Sequence, residues 1–129
     1  MDTTDRTGAV GADWDAVAPA WDAFVDTDDE PTAAPTARMV ELVAPAPGER
    51  VLELAAGPGA LASTWSVLVG PTGRVEVTDV APAMVEAAGR RAATLPNVTA
   101  AVVNAGAIDR PDGSVDVVAS RMGLMFAPD

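Results

Sequence analysis

The chain has 129 residues, of which 49% are apolar, and a formal net charge of −11, enough for one domain around one core. That charge repels phosphates, which argues against nucleic acid and anionic membrane surfaces as partners. Cysteine and histidine are both absent, so a disulfide, a thiolate or imidazole metal site and a histidine base are excluded.

Lysine and tyrosine are absent too, which leaves carboxylates as the conventional bases. No stretch is long and apolar enough to span a bilayer. The first residues, with Asp2, Asp5 and Arg6, lack the apolar core of a signal peptide. The expectation is a soluble cytoplasmic protein.

Residues 1–12 are polar and glycine-bearing and read as a disordered tail. Asp13 is placed as the N-cap of a first helix, and residues 13–129 as one domain. Trp14, Val17, Ala18, Trp21, Phe24 and Val25 recur on one face of that helix, with Pro19 in its middle. Both tryptophans are expected to pack onto the core. Residues 26–30 are an acidic run and read as a solvated loop. A linker or helix start at 31–35 leads to a second helix over 37–44, ended by Pro45-Ala46-Pro47-Gly48.

Residues 51–54 are a short aliphatic run, the length of a buried strand, with Glu53 near its end. Side chains then shrink through Gly59, and helical spacing resumes at Leu61, Trp65 and Leu68, giving a helix over 60–69. After a turn at 70–73, Val75 and Val77 alternate with polar residues in a second strand over 74–78 that ends at Asp79. Pro82 opens a helix running to about residue 95, with Arg90 and Arg91 near its C-terminal dipole. A third strand over 99–103 and a fourth over 115–120 come next, separated by the turn Pro111-Asp112-Gly113-Ser114. Alternating strands and helices predict an α/β, Rossmann-like fold: a parallel sheet of about four strands flanked by helices.

Strand, small-residue turn and helix make the first half of a βαβ unit. A turn without side chains lets the backbone approach a ligand, and the amides opening the next helix point at it. Gly57-Pro58-Gly59-Ala60-Leu61-Ala62 satisfies G-x-G-x-x-G/A, so a dinucleotide site is open on spacing. Glu53 argues the other way. A pyrophosphate gains nothing from a nearby carboxylate, whereas an amino group and a sulfonium are attracted to one. Asp79 lies about twenty residues past the last loop glycine, where an acid meets ribose hydroxyls.

The stretch resembles motif I of the class I S-adenosylmethionine-dependent methyltransferases, with Ala55 in place of the first glycine. From Trp14 to Pro128 the chain is similar to the ubiquinone/menaquinone-biosynthesis-type enzymes. Val80-Ala81-Pro82-Ala83-Met84 resembles their second motif, and Pro111-Asp112-Gly113-Ser114-Val115-Asp116 resembles the turn before their fourth strand. Arg121-Met122-Gly123-Leu124-Met125-Phe126 resembles the segment that succeeds this strand. The resemblance implies S-adenosylmethionine as cofactor and a small-molecule acceptor. It implies that Glu53 favours the methionine end, that Gly57 and Gly59 keep the loop close, and that Ala55 lies where a methyl fits. Asp79 would accept from the ribose hydroxyls, Val80 and Met84 would flank the adenine, Asn104 and the Ala105 amide would meet its edge, and Arg121 would stand near the reacting end. It also lets the aromatic first helix lie across the cofactor mouth.

The resembled fold has seven strands, so the chain is expected to be incomplete at its C-terminus and inactive by itself. Val115, Val117 and Val118 would then form an exposed edge, and self-association along it is expected. Methyl transfer is an in-line displacement in which the protein positions reactants and excludes water. No motif here marks a catalytic residue. Two other readings stay open: a non-catalytic module that binds S-adenosylmethionine or a partner, and an NAD(P)-dependent oxidoreductase.

Overall fold

The computed structural model describes residues 3–27 and 31–128. Short β-branched and aliphatic runs form four strands: β1 (Arg50–Glu53), β2 (Arg74–Asp79), β3 (Val98–Val102) and β4 (Val117–Ala119). They make one parallel sheet in the order β3-β2-β1-β4. The helices are α1 (Thr3–Phe24), α2 (Ala33–Val43), α3 (Ala62–Val69) and α4 (Pro82–Ala92), with a 3-10 turn at Leu124–Phe126. The chain steps outward from β1 to β2 to β3 and then returns to the other side of β1. That reversal creates a switch point between β1 and β4, where open α/β sheets bind ligands beyond their carboxyl ends.

Strand alternation decides which residues meet the helices. Val51, Val75, Val77, Val98 and Ala119 face one way and pack with Ala62, Trp65 and Val69 of α3 and Ala88 and Ala92 of α4. Met39, Val40 and Val43 of α2 close the margin of this core. Leu52 and Leu54 face the other way and are covered by Val103, Ala105 and Val115. The helices of the described core thus gather on one face, and loop residues cover the other. Fully burying an aliphatic side chain such as Leu52 or Val77 stabilises the fold by roughly 1.5–3 kcal/mol.

Several boundaries differ from expectation. The first helix starts at Thr3, so residues 3–12 are helical rather than a loose tail, and Asp13 lies inside the helix instead of capping it. Gly8 and Gly11 lower helix propensity there, which is why the sequence reads as a tail. Tertiary packing overrides them: Gly11 is buried, with the Val80 carbonyl oxygen 3.4 Å from where its Cβ would lie. Pro19 sits within the continuous helix. The second helix begins at Ala33, earlier than expected, and α3 begins at Ala62, two residues later. The acidic run at 26–30 falls outside the described residues at 28–30, as do Met1, Asp2 and Asp129.

The fourth strand is shorter than expected. Asp116 turns its carboxylate to the Arg50 amide (2.8 Å) and guanidinium, and its own amide donates to the Arg50 carbonyl. Val115 therefore packs beneath Leu52 and Leu54 rather than on an exposed edge, and Val117 packs against the helical face. Of the three valines expected on the edge, Val118 is the exposed one, at 51%.

Candidate functional site

The loop after β1 is built so that its backbone, not its side chains, faces the end of the sheet. Ala55 has φ 52°, Gly57 φ 58° and Gly59 φ 83°. The Ala56 amide donates to the Thr78 carbonyl (2.8 Å), and the Thr78 hydroxyl donates to the Glu53 carbonyl (2.7 Å). These buried bonds fix the loop to the end of β2. Asp79 completes the tie: Oδ2 accepts from the Gly57 amide (2.9 Å) and Oδ1 from the Ala81 amide (3.0 Å), just ahead of α4.

Above this floor lies a cavity of about 400 Å³. Its floor carries Glu53, Ala55, Gly57 and Asp79; its sides carry Val80, Met84, Asn104, Ala105 and Arg121. Nine of the ten residues expected at the site thus border one cavity, and Gly59 does not. A Cβ at Gly59 would lie 3.1 Å from the Cα and Cβ of Ala88, so this glycine serves the packing of the loop on α4. At Gly57 an added Cβ meets nothing within 4 Å, and the positive φ is what calls for glycine.

Ala55 occupies a left-handed conformation that costs a non-glycine residue roughly 1–2 kcal/mol. Its methyl fits because residue 123 is glycine: a Cβ there would stand 2.1 Å from the Ala55 Cβ. The methyl missing from one position is thus accommodated at another, 68 residues away, on the segment after β4.

Glu53 is 2% exposed, and its Oε2 accepts from the indole Nε1–H of Trp65 at 2.8 Å. Burial pushes its carboxyl up to about 7; the indole hydrogen bond and the Arg121 charge pull it down, and the Asp79 charge pushes it up. Trp65 itself is fully buried in α3 and does not border the cavity. Arg121 donates to the Thr36 hydroxyl of α2 at 2.9 Å. Asn104 uses Oδ1 to accept from the Gly106 amide at 2.9 Å. Met84 is buried with Ala18 and Ala81, so it serves the core as well as the cavity wall.

The roof is α1 and the 3-10 turn. Trp14, Trp21 and Phe24 of α1 and Phe126 of the turn border the cavity. Trp14 meets Phe126 edge-on at 5.3 Å, and Trp21 meets Phe24 edge-on at 5.6 Å. Trp14 takes both roles, packing on the core beside Ala18 and bordering the cavity; Trp21 borders the cavity but, at 40% exposed, does not pack onto the core as expected. Thr7 and Val10, within the expected tail, face it too. The signal for them is a shared helical face at positions 7, 10, 14 and 21.

The roof is latched to α4. Asp15 Oδ1 accepts from the Ala83 amide at 2.7 Å, and Arg90 pairs with Asp22 at 2.7 Å. Arg91 pairs with Asp22 and with Asp26 (2.9 Å) and donates to the Pro58 carbonyl of the loop at 2.9 Å. No local pattern in the sequence signals these contacts, where Arg90 and Arg91 stand only for a favourable helix dipole.

A parallel sheet with an acid at the end of each of two neighbouring strands, a glycine-bearing loop between them and a cavity above belongs to the nucleoside-binding Rossmann-like class. The family described as methyltransferase domain matches residues 51–129. This chain belongs to that family. It is 35% identical over 94 residues to the aklanonic acid methyltransferase DauC of Streptomyces sp. (strain C5), an alignment covering 71% of this chain and 43% of that protein. It is 36% identical over 88 residues to the ubiquinone/menaquinone biosynthesis C-methyltransferase UbiE of Hydrogenovibrio crunogenus, covering 66% of this chain and 35% of that protein. The chain thus spans less than half the length of these curated relatives. A SAM-dependent methyltransferase from Aquifex aeolicus superposes with a TM-score of 0.63 over 77% of this chain and 55% of its own, at 24% identity, and so shares the fold. Among the described residues no helix is long and apolar enough to cross a membrane, and no cluster of acids is arranged to hold a metal ion.

Proposed function

We propose that this chain is the cofactor-binding part of an S-adenosylmethionine-dependent methyltransferase acting on a small-molecule acceptor. The observation that carries the reading is the convergence of Glu53 and Asp79 on one cavity beside the loop at residues 55–59. The residues fit the cofactor. A volume of about 400 Å³ is in the range of small-molecule sites. Each Asp79 oxygen accepts one amide and keeps a further lone pair for a ribose hydroxyl. Val80 and Met84 offer an apolar flank to a flat base, with Asn104 and Ala105 opposite its edge.

When bound, the cofactor supplies an electrophilic methyl group on a sulfonium. The protein's part is to bind, orient and exclude water. Glu53 and Asp79 place negative charge where a cationic cofactor is held, and the aromatic residues of α1 shield the cavity from solvent. Their apolar surface suits a small organic acceptor, in keeping with the aklanonic acid and quinone-pathway names of the relatives. A separate proposal concerns β4: as the last strand of the sheet it has one side without a paired strand among the described residues, which supports pairing with a second copy, and sedimentation at rising concentration tests this.

Calorimetric titration with S-adenosylmethionine, S-adenosylhomocysteine and NAD tests the main reading. The first two are expected to bind, and Asp79→Ala to weaken both at least tenfold. Tight NAD binding without adenosylmethionine binding would replace the reading with an oxidoreductase. Binding without methyl transfer to any small-molecule acceptor would leave a cofactor-binding module.

A further inference from the structure

The mechanism leaves one buried polar contact unused. Trp65 is the largest fully buried side chain of the core, yet its single polar atom is spent on the Glu53 carboxylate, at 2.8 Å. An indole N–H is a donor only, so the contact needs an acceptor in register with it. The alternation of β1 puts Glu53 on the helical face of the sheet, opposite Leu52, and α3 runs over that face. Trp65 does not border the cavity, whereas Glu53 does. Trp65 therefore makes no direct contact with a ligand there, and Glu53 is its polar link to the cavity.

We infer that Trp65 is a positioning residue: its indole N–H fixes the Glu53 carboxylate at the cavity floor and holds it in the charged form that attracts a cationic cofactor. The inference rests on the cofactor reading above. Its physical basis is the imbalance at Glu53. Burial opposes the charge, and so does Asp79 at the end of β2; Arg121 after β4 and the indole from α3 favour it. Glu53 consequently sits near the balance point, at about 7. Losing the indole donor tips it toward the neutral acid, and binding a cation tips it back, with a proton released to solvent. Cofactor affinity should then rise with pH through neutrality, and the neutral thioether product should feel the change less than the sulfonium.

The test compares the wild type, Trp65→Phe and Glu53→Gln across pH 5.5–9. Trp65→Phe keeps an aromatic ring and removes the donor; Glu53→Gln keeps an acceptor for the indole and removes the charge. In nitrogen–proton correlation spectra the Trp65 indole signal, identified by its loss in Trp65→Phe, should titrate in the wild type and stay fixed in Glu53→Gln. In calorimetry, wild-type affinity for S-adenosylmethionine should climb with pH. Trp65→Phe should shift that profile upward, with about a tenfold loss at neutral pH recovered at higher pH, and Glu53→Gln should be weak and flat. Profiles are compared between proteins at each pH, so the cofactor's own ionisation cancels. An unshifted profile in Trp65→Phe, or an indole signal that ignores pH, overturns the inference. A wild type that binds no S-adenosylmethionine overturns the cofactor reading instead. Should Trp65→Phe fail to fold, Trp14→Phe and Trp21→Phe assign the Trp65 indole signal by elimination, and its titration in the wild type against Glu53→Gln still decides.

Discussion

The floor and the roof of the cavity are held in different ways. The floor is a sheet end fixed by buried and part-buried bonds: Ala56 to Thr78, Thr78 to Glu53, Gly57 to Asp79 and Trp65 to Glu53. The roof is α1 with the 3-10 turn, held by the edge-on contact of Trp14 with Phe126, by Ala18 against Ala81 and Met84, by the Asp15 bond to the Ala83 amide and by partly exposed charges on Asp22, Arg90 and Arg91. Buried hydrogen bonds in a low dielectric are costly to break, whereas partly exposed ion pairs contribute little each. The floor is thus built to keep its shape, and the roof to be displaced at moderate cost. A site that must admit a cofactor needs that asymmetry.

The largest effect should come from breaking the floor at its centre. Trp65→Ala removes the largest buried side chain and leaves Glu53 without its indole donor. A loss of about 4 kcal/mol is expected, read as a lower midpoint in urea unfolding. A loss below about 1 kcal/mol would mean that the floor is not the rigid part.

Next comes the charge buried in the floor. The Glu53 carboxyl is raised by burial to about 7, above its unfolded value. Its contribution to stability is therefore fully present below the unfolded value and is lost as pH rises through 7, by roughly 3 kcal/mol. The paired aspartates behave oppositely. Hydrogen bonding to Arg91 holds Asp22 of the roof below its ordinary value, and Arg50 at the start of β1 does the same for Asp116, so their contributions are lost in acid. Stability should peak in weak acid and fall toward neutral pH, and Glu53→Gln should flatten the neutral limb alone. Denaturant midpoints measured between pH 3 and 9 check this.

The two regions also differ in how legible they are in the sequence. Residues 51–59 and 79–84 carry local signals, a strand, a bend without side chains and an acid, so Glu53, Gly57 and Asp79 are assignable from the sequence by itself. Gly59 fits the motif but serves Ala88, because spacing alone does not say which way a loop carbon faces. The roof depends on pairs such as Asp22 with Arg91 and Trp14 with Phe126, whose members are ordinary surface or core residues until the fold brings them together. Residues 3–12 look unstructured because glycines at 8 and 11 weaken the local preference for helix, and packing on Val80 offsets that weakness.

A third prediction probes where floor meets wall. Gly123→Ala would drive a methyl to 2.1 Å from the Ala55 Cβ and should cost about 2 kcal/mol. Ala55→Gly removes the obstructing methyl and relieves the φ of 52°. The double variant should recover most of the loss, and a double-mutant cycle measures the coupling. Additive losses would show that the two positions do not share one space.

The smallest effect is expected at the latch of the roof. Arg91→Met keeps an unbranched stem against α1 but removes the bonds to Asp22, Asp26 and the Pro58 carbonyl. Asp22 keeps Arg90, and the Arg91 side chain is 22% exposed, so about 1 kcal/mol of local stability should be lost. Hydrogen exchange distinguishes a local from a global effect. Amides of α1 should exchange roughly fivefold faster, while those of β1 and β2 keep their protection. Salt should speed α1 exchange in the wild type and leave the variant nearly unchanged, because screening weakens the pairs that the variant already lacks. Equal acceleration in α1 and the sheet would mean that roof and floor open together, and that the cavity has no separately movable side.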